Sequence, residues 1–107
     1  MIYELREYLP LPGKMSTLSQ RFANHTVGFF KKYGIEVVGF WTEEIGSASQ
    51  LVYMLKYDDL GEKEKRWNAF QADPEWQKLR AESEKDGPLV AEIHNRILRP
   101  TSFSPSQ

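Results

Sequence analysis

Residues 2–9, IYELREYL, alternate in polarity and are rich in aromatic and branched side chains, the pattern of a β-strand. Pro10, Pro12 and Gly13 stop it. From Lys14 to Tyr33 the period lengthens: Met15, Leu18, Phe22, Phe29 and Tyr33, with Thr26 filling the gap, recur at threes and fours and mark one helical face. Gly28 inside that run costs about 1 kcal/mol relative to alanine, and Gly34 stands where a left-handed cap would close the helix. Alternation returns in IEVVGFWTEEIG (35–46), which predicts a second strand closed by a Gly46-Ser47 turn, and in QLVYMLKYDD (50–59), the third strand and the other arm of a hairpin.

Asp59 followed three residues later by Glu62 resembles a capping box and starts the next helix, on which Leu60, Trp67 and Phe70 share a face. Glu62 and Arg66 form an i,i+4 pair on its wet side. The stretch FQADPEWQKL (70–79) then breaks that helix and begins another. Asp73 is a good N-cap, Pro74 suits the first helical position, and the residue before a proline is pushed out of the helical region, so the break falls near Ala72. Trp76 and Leu79 then point inward, and the change of direction lets Trp67, Phe70, Trp76 and Leu79 all reach one sheet. Asp86-Gly87-Pro88 ends the second helical region. LVAEIHNRIL (89–98) is the fourth strand, and the Ser/Pro tail TSFSPSQ finishes the chain.

The order β-α-β-β-α-β predicts an α+β, ferredoxin-like fold with a four-stranded antiparallel sheet, both helical regions on one face and strand one beside strand four. The expectation is one domain over residues 1–100, followed by a tail over 101–107. Tyr3, Leu5 and Leu9 form the more apolar set of strand one and are expected under the helices, leaving Ile2, Glu4, Arg6 and Tyr8 on the far face. On strand four the same argument puts Ala91, Ile93 and Ile97 under the helices and Glu92, His94, Arg96 and Leu98 opposite. A one-residue slip would invert either assignment. Strands two and three are apolar on both faces, so the far face needs a cover, and a second copy of the chain in a two-fold dimer is the economical one.

Fourteen basic and fifteen acidic residues leave a formal net charge of −1, which argues against nucleic acid as a partner. The absence of cysteine removes disulfides, thiolate metal sites and thiol nucleophiles together. The chain enters a strand at its second residue and contains no run approaching the length of a membrane span, so the cytoplasm is the expected location.

Glu4, Arg6, His94 and Arg96 are the most chemically suggestive set, because the expected pairing of strands one and four would bring them together on the far face. Functionally they could hold an acidic or enolisable small molecule, with arginine as anion clamp and Glu or His as proton carrier. Structurally they could be a charge-compensated ladder that fixes the register of a dimer. Trp41, Tyr53 and Tyr57 could wall a cavity, or pack between two sheets. Trp76 could stack on a ligand, or anchor the core. His25 and His94 have no ligating spacing, so no metal is expected. No GxSxG and no phosphate-binding glycine loop is present.

MIYELREY, LPGKM, VGFWTEEIG, the YDDLGEKEKRWNAFQADPEW block and the ending HNRILRPTSFSP together resemble the NIPSNAP family, essentially end to end. The resemblance implies a homodimeric α/β barrel of two ferredoxin-like sheets packed face to face with helices outside. It implies a domain of unassigned molecular activity whose barrel can hold a small molecule. It also implies kinship with antibiotic-biosynthesis monooxygenases, haem-degrading enzymes and small isomerases. Animal members are associated with mitochondria and vesicle traffic; without their targeting extension, the chain is similar to the short bacterial type. Haem-degrading relatives place Asn on the first strand and His on the second helical region. Here the strand carries Glu4 and Arg6, and residues 60–86 contain no histidine, so no haem and no other cofactor is expected. Two alternatives stay open: a cofactor-independent monooxygenase or isomerase acting on a small aromatic or enolisable substrate, and a protein-interaction module without catalysis.

Overall fold

A computed structural model describes residues 1–107. Four strands, β1 (Ile2–Pro10), β2 (Glu36–Thr42), β3 (Leu51–Tyr57) and β4 (Val90–Leu98), form one antiparallel sheet in the order β2-β3-β1-β4. Between β1 and β2 the chain runs through α1 (Met15–Arg21), a π turn (Phe22–Thr26) and α2 (Val27–Lys32); between β3 and β4 it forms α3 (Leu60–Gln71) and α4 (Pro74–Ser83). This is the ferredoxin-like α+β arrangement. The β2–β3 connection is longer than the sequence suggests. Both strands stop short of the Gly46-Ser47 turn, at Thr42 and Leu51, with a single closing bond from the Glu43 amide to the Gln50 carbonyl (3.0 Å). Ile45, counted with the strand from its apolarity, projects into solvent.

Capping residues set the helix boundaries. The Asp59 carboxylate accepts from the Glu62 amide at 2.8 Å, while the Glu62 side chain turns instead to Arg66 (3.1 Å). Asp73 does more. Its Oδ1 accepts from the amides of Glu75 (2.8 Å) and Trp76 (3.2 Å), and its Oδ2 accepts from Lys32 Nζ (2.7 Å) and from the Tyr33 hydroxyl. One carboxylate therefore starts α4 and ties it to the end of α2. Gly34 closes the first helical run at φ +68°, and a Cβ there would also meet the Arg66 guanidinium, whose Nη1 donates to the Tyr33 carbonyl (3.1 Å).

These bonds hold the Asp73 carboxyl well below the usual carboxylate range, the Lys32 ammonium contributing most and the Tyr33 hydroxyl next. A carboxyl depressed in the folded state stabilises the fold above the unfolded-state value, near 4, and that stabilisation is lost as the pH falls below it. The stability advantage of the wild type over Asp73→Asn is therefore expected to shrink as the pH is lowered through about 4. Urea midpoints of the two proteins at stepped pH would check this; a constant gap would contradict it.

The core lies between the sheet and the helical layer. Ile2, Tyr53, Leu55 and Tyr57 rise from the strands to meet Leu18, Phe30 and Phe70 from the helices. Phe70 and Trp76, one on each side of the Asp73-Pro74 break, sit 4.8 Å apart between ring centroids, so the break brings both rings into one cluster.

The expected faces of β1 are inverted. Ile2, Glu4, Arg6 and Tyr8 lie under the helices and are buried, whereas Tyr3, Leu5 and Leu9 occupy the open face and are only half-buried. Ile2 and Tyr8 are the anchors that enter the core, and Glu4 and Arg6, in phase with them, compensate each other there. On β4, Ile93 and Ile97 stand opposite Tyr8 and Glu4 and share their helix-side face, as expected, though at the sheet edge they remain exposed. The open face carries Leu5, Val52, Met54 and Trp41, the last lying over Gly39. The C-terminal tail returns beside it, where the Tyr3 hydroxyl donates to the Gln107 carbonyl (3.4 Å).

Candidate functional site

Inverting β1 separates the four candidate residues. Arg6 pairs across the ladder with Asn95 and Glu4 with Ile97, while His94 stands opposite Glu7 and Arg96 opposite Leu5. Glu4 and Arg6 are thus inside the fold. His94 and Arg96 are on the open face, where His94 Nε2 lies 3.0 Å from Glu92 and Arg96 donates to Glu7 at 3.4 Å, all exposed or half-buried. The four do not form one site.

Glu4 and Arg6 belong instead to a buried network with two tyrosines. Arg6 donates from Nη1 to Glu4 Oε2 (3.0 Å), from Nε to the Tyr53 hydroxyl (2.9 Å) and from Nη2 to the Tyr8 hydroxyl (3.2 Å). Asn95 on β4 donates to the same Glu4 oxygen at 3.0 Å. Above Arg6 the Trp67 ring from α3 lies 4.3 Å from the guanidinium carbon, a cation–π stack. Burial works against the Arg6 charge, but Tyr53, Tyr8 and Glu4 outweigh it and hold the guanidinium protonated. Burial pushes the Tyr53 phenol well up, so it stays neutral. Burial, and then the Glu4 carboxylate, do the same for Tyr57.

The two hydroxyls of Tyr8 and Tyr53 are 2.8 Å apart and share one hydrogen. Tyr53 is fully buried, and its only other partner is the Arg6 Nε–H, a donor. Were Tyr8 the donor, the Tyr53 hydrogen would be sequestered without an acceptor, at a penalty of about 1–3 kcal/mol. Tyr53 therefore donates to Tyr8. The Tyr8 oxygen receives two hydrogen bonds, and its own hydrogen is left free.

Tyr8 faces a cavity. Between the sheet and the helical layer lies a space of about 530 Å³, within the range of small-molecule sites. Its polar floor is Arg6, Tyr8 and Tyr53, and Phe22, Phe30, Trp67, Phe70 and Trp76 supply aromatic wall. Of the expected wall residues, Tyr53 and Trp76 line this cavity. Trp41 does not: it lies half-exposed on the other side of the sheet. Tyr57 is buried in the core rather than at the cavity surface.

The π turn shapes the opposite wall. Its wider step, marked by the Val27 amide donating to the Phe22 carbonyl, turns Phe22 and Thr26 toward the sheet, and Arg21 immediately before it is buried as well. Arg21, Phe22 and Thr26 all line the cavity. Tyr8 and Arg21 are the site residues that sequence reasoning missed. The available signals were phase alone: Tyr8 shares the β1 phase of Ile2, and Arg21 lies one helical turn beyond Leu18. No group of three or more His, Asp or Glu residues stands close enough to hold a metal ion, and no helix is long and apolar enough to cross a membrane.

The family model for NIPSNAP matches residues 3–105. The chain belongs to the NIPSNAP family. It is 31% identical over 106 residues to the protein NipSnap of Drosophila melanogaster, a match covering 99% of this chain but 37% of the fly protein. The human NipSnap homolog 2 is 32% identical over the same length, with 35% of that protein covered. The chain thus spans little more than a third of these NIPSNAP relatives. Among solved structures, a NIPSNAP family protein from Agrobacterium tumefaciens superposes with a TM-score of 0.88 at 27% identity, covering 99% of this chain and 98% of that one. SnoaB, a cofactor-independent oxygenase from Streptomyces nogalater, superposes with a TM-score of 0.62 at 14% identity, covering 97% and 96% of the two chains. At that identity it shows a shared fold for this NIPSNAP domain and nothing of its chemistry.

Proposed function

We propose that this NIPSNAP domain binds a small planar molecule in the cavity between its sheet and its helices, with Tyr8 donating a hydrogen bond to a ligand oxygen. The observation that carries the reading is the Tyr8 hydroxyl, held by Arg6 and Tyr53 at the floor of an aromatic-walled space, where the donor count above leaves it a hydrogen to give. Arg6 and Tyr53 act as positioning residues, because each Arg6 nitrogen and the Tyr53 hydroxyl already hold a partner within the network.

The same geometry favours, as a second reading, proton transfer or cofactor-independent oxygenation of an enolisable or phenolic substrate. A phenol that accepts two donors and offers a free proton can stabilise negative charge developing on a substrate oxygen. A cofactor-independent oxygenase on the same fold is consistent with this. A protein-interaction module would instead go with a filled interior and paired charges; Arg6 and Glu4 are paired, but Arg6 lines open volume.

Native mass spectrometry of freshly purified protein tests the binding reading. The expected result is added small-molecule mass on the wild type that is lost or strongly reduced in Tyr8→Phe, with the fold kept. Equal added mass on both proteins would contradict the role of Tyr8.

The open face of the sheet supports a further part of the reading, that two copies pair through it. Leu5, Val52 and Met54 are half-buried there, and Val38, Trp41 and Leu98 are exposed by 49, 52 and 39%. Such a contiguous apolar surface is unusual on a chain that works alone. Trp41→Lys is expected to convert a dimer into a folded monomer, read by light scattering at micromolar concentration; a wild type that is already monomeric would contradict the pairing.

A further inference from the structure

Two arginines of the cavity, Arg21 and Arg80, lie outside the Arg6 network, and Arg21 is the buried one. Arg21, at the end of α1, is only 8% exposed and lines the cavity. Its Nη1 donates to the Ser83 hydroxyl (3.1 Å) and to Glu84 (3.5 Å), near the end of α4. The Glu84 contact is long for a charge-assisted bond, which closes to about 2.7–2.9 Å when fully formed. Neither Nε nor Nη2 has an acceptor, and Nε is completely sequestered. Burial pushes the Arg21 guanidinium down from its usual value, and Glu84 only partly offsets this.

A purely structural role, tying α1 to the C-terminal end of α4, would explain the Nη1 contacts. It does not explain the other edge. Nη2 carries two N–H groups with no acceptor and, unlike Nε, keeps accessible surface, so it can donate to a carboxylate. Beside it, 5.6 Å from the guanidinium carbon, lies the Trp76 ring, whose indole N–H is likewise buried without an acceptor. The Arg21 Nε and the Trp76 indole nitrogen are both shut away from the cavity, so the donor left for a ligand is Arg21 Nη2. The lining carries Arg6, Arg21 and Arg80 with Glu84 and Glu92, Arg6 being already paired with the buried Glu4, and aromatic side chains make up much of the rest of the wall. A ligand that completes this site brings an anionic acceptor for Nη2 on an aromatic body.

We infer that the cavity takes an aromatic carboxylate, its carboxylate held by Nη2 of Arg21. The inference rests on the ligand-binding reading above and adds the chemical class of the ligand and the residue that selects it. Arg21 would then discriminate an acid from its neutral amide of the same shape.

The test is a ¹⁵N–¹H NMR titration at neutral pH with benzoate and 1-naphthoate and with the corresponding amides, benzamide and 1-naphthamide. It follows the Trp76 indole N–H and the Thr26 and Ala91 amides. The expected result is at least tenfold tighter binding of an acid than of its amide in the wild type. In Arg21→Gln the ratio should collapse toward one, and in Arg21→Lys, which keeps the charge but not the reach of Nη2, it should be intermediate. An acid and amide that bind equally to the wild type would overturn the role of Arg21 and leave the cavity reading standing. A preference that survives in Arg21→Gln would overturn it too, by assigning the selection to another cation. Cavity resonances unmoved by all four compounds would overturn both readings. The wild-type comparison stands by itself should Arg21→Gln fail to fold.

Discussion

Arg6→Ala is expected to destabilise the fold by roughly 3–5 kcal/mol, the usual consequence of removing one partner from a buried ion pair. The substitution strands the Glu4 carboxylate, which is fully buried and would keep only Asn95 as a donor. It also removes the donors to Tyr8 and Tyr53 and the cation stacked 4.3 Å from Trp67. The loss is larger than the pair's net worth, because most of it is the penalty on the charge left behind. Replacing both members by apolar residues of similar size, Glu4→Leu with Arg6→Met, is therefore expected to be less damaging than Arg6→Ala alone. Urea unfolding of the wild type and the two variants measures the difference. A loss below about 1 kcal/mol for Arg6→Ala, the range of an exposed pair, would contradict the buried network and with it the positioning of Tyr8.

Phe30→Ala is expected to cost a comparable 3–5 kcal/mol through lost burial and an unfilled space. Phe30 is 1% exposed, and its ring centroid lies 5.3 Å from that of Phe70, 6.0 Å from Tyr53 and 6.1 Å from Trp67. It joins the first helical run to both the sheet and α3, so its removal loosens the layer that roofs the cavity. Phe103→Ala, at a position 87% exposed in the tail, provides the contrast and should fall within about 0.5 kcal/mol of the wild type. Denaturant midpoints of the two variants decide it; similar losses would mean that the core is not where the burial places it.

Why these residues and not others were legible from sequence follows from what each signal encodes. Asp59 and Asp73-Pro74 announce helix starts through local chemistry, the side chain meeting amides two or three residues away, and the structure places both caps accordingly. Strand order follows from the alternation of elements. Strand face does not, because in IYELREYL both phases contain large apolar groups, and which phase is buried depends on partners distant in sequence. Glu4 and Arg6 read as far-face residues alongside His94 and Arg96 until Tyr53 and Asn95 are seen beside them. The π turn has no sequence mark at all. One extra residue within a helix shifts the phase of everything after it, which brings Phe30 inward beside Phe29, although the sequence pattern names only Phe29. The candidate site was accordingly half visible. Arg6, Tyr53 and Trp76 were in view, but Tyr8 and Arg21 required the cavity itself, and His94, Arg96 and Trp41 lie outside it.

The most direct test of a ligand cavity between sheet and helices is a ¹⁵N–¹H NMR screen of the wild-type protein with a panel of small planar oxygen-bearing compounds, phenol and acetophenone among them. Binding in the cavity predicts perturbations at the Trp67 and Trp76 indole N–H groups and the Thr26 and Ala91 amides, with Val52 and Met54 on the open face unmoved. Perturbations confined to the open face, or none from any compound, would contradict it.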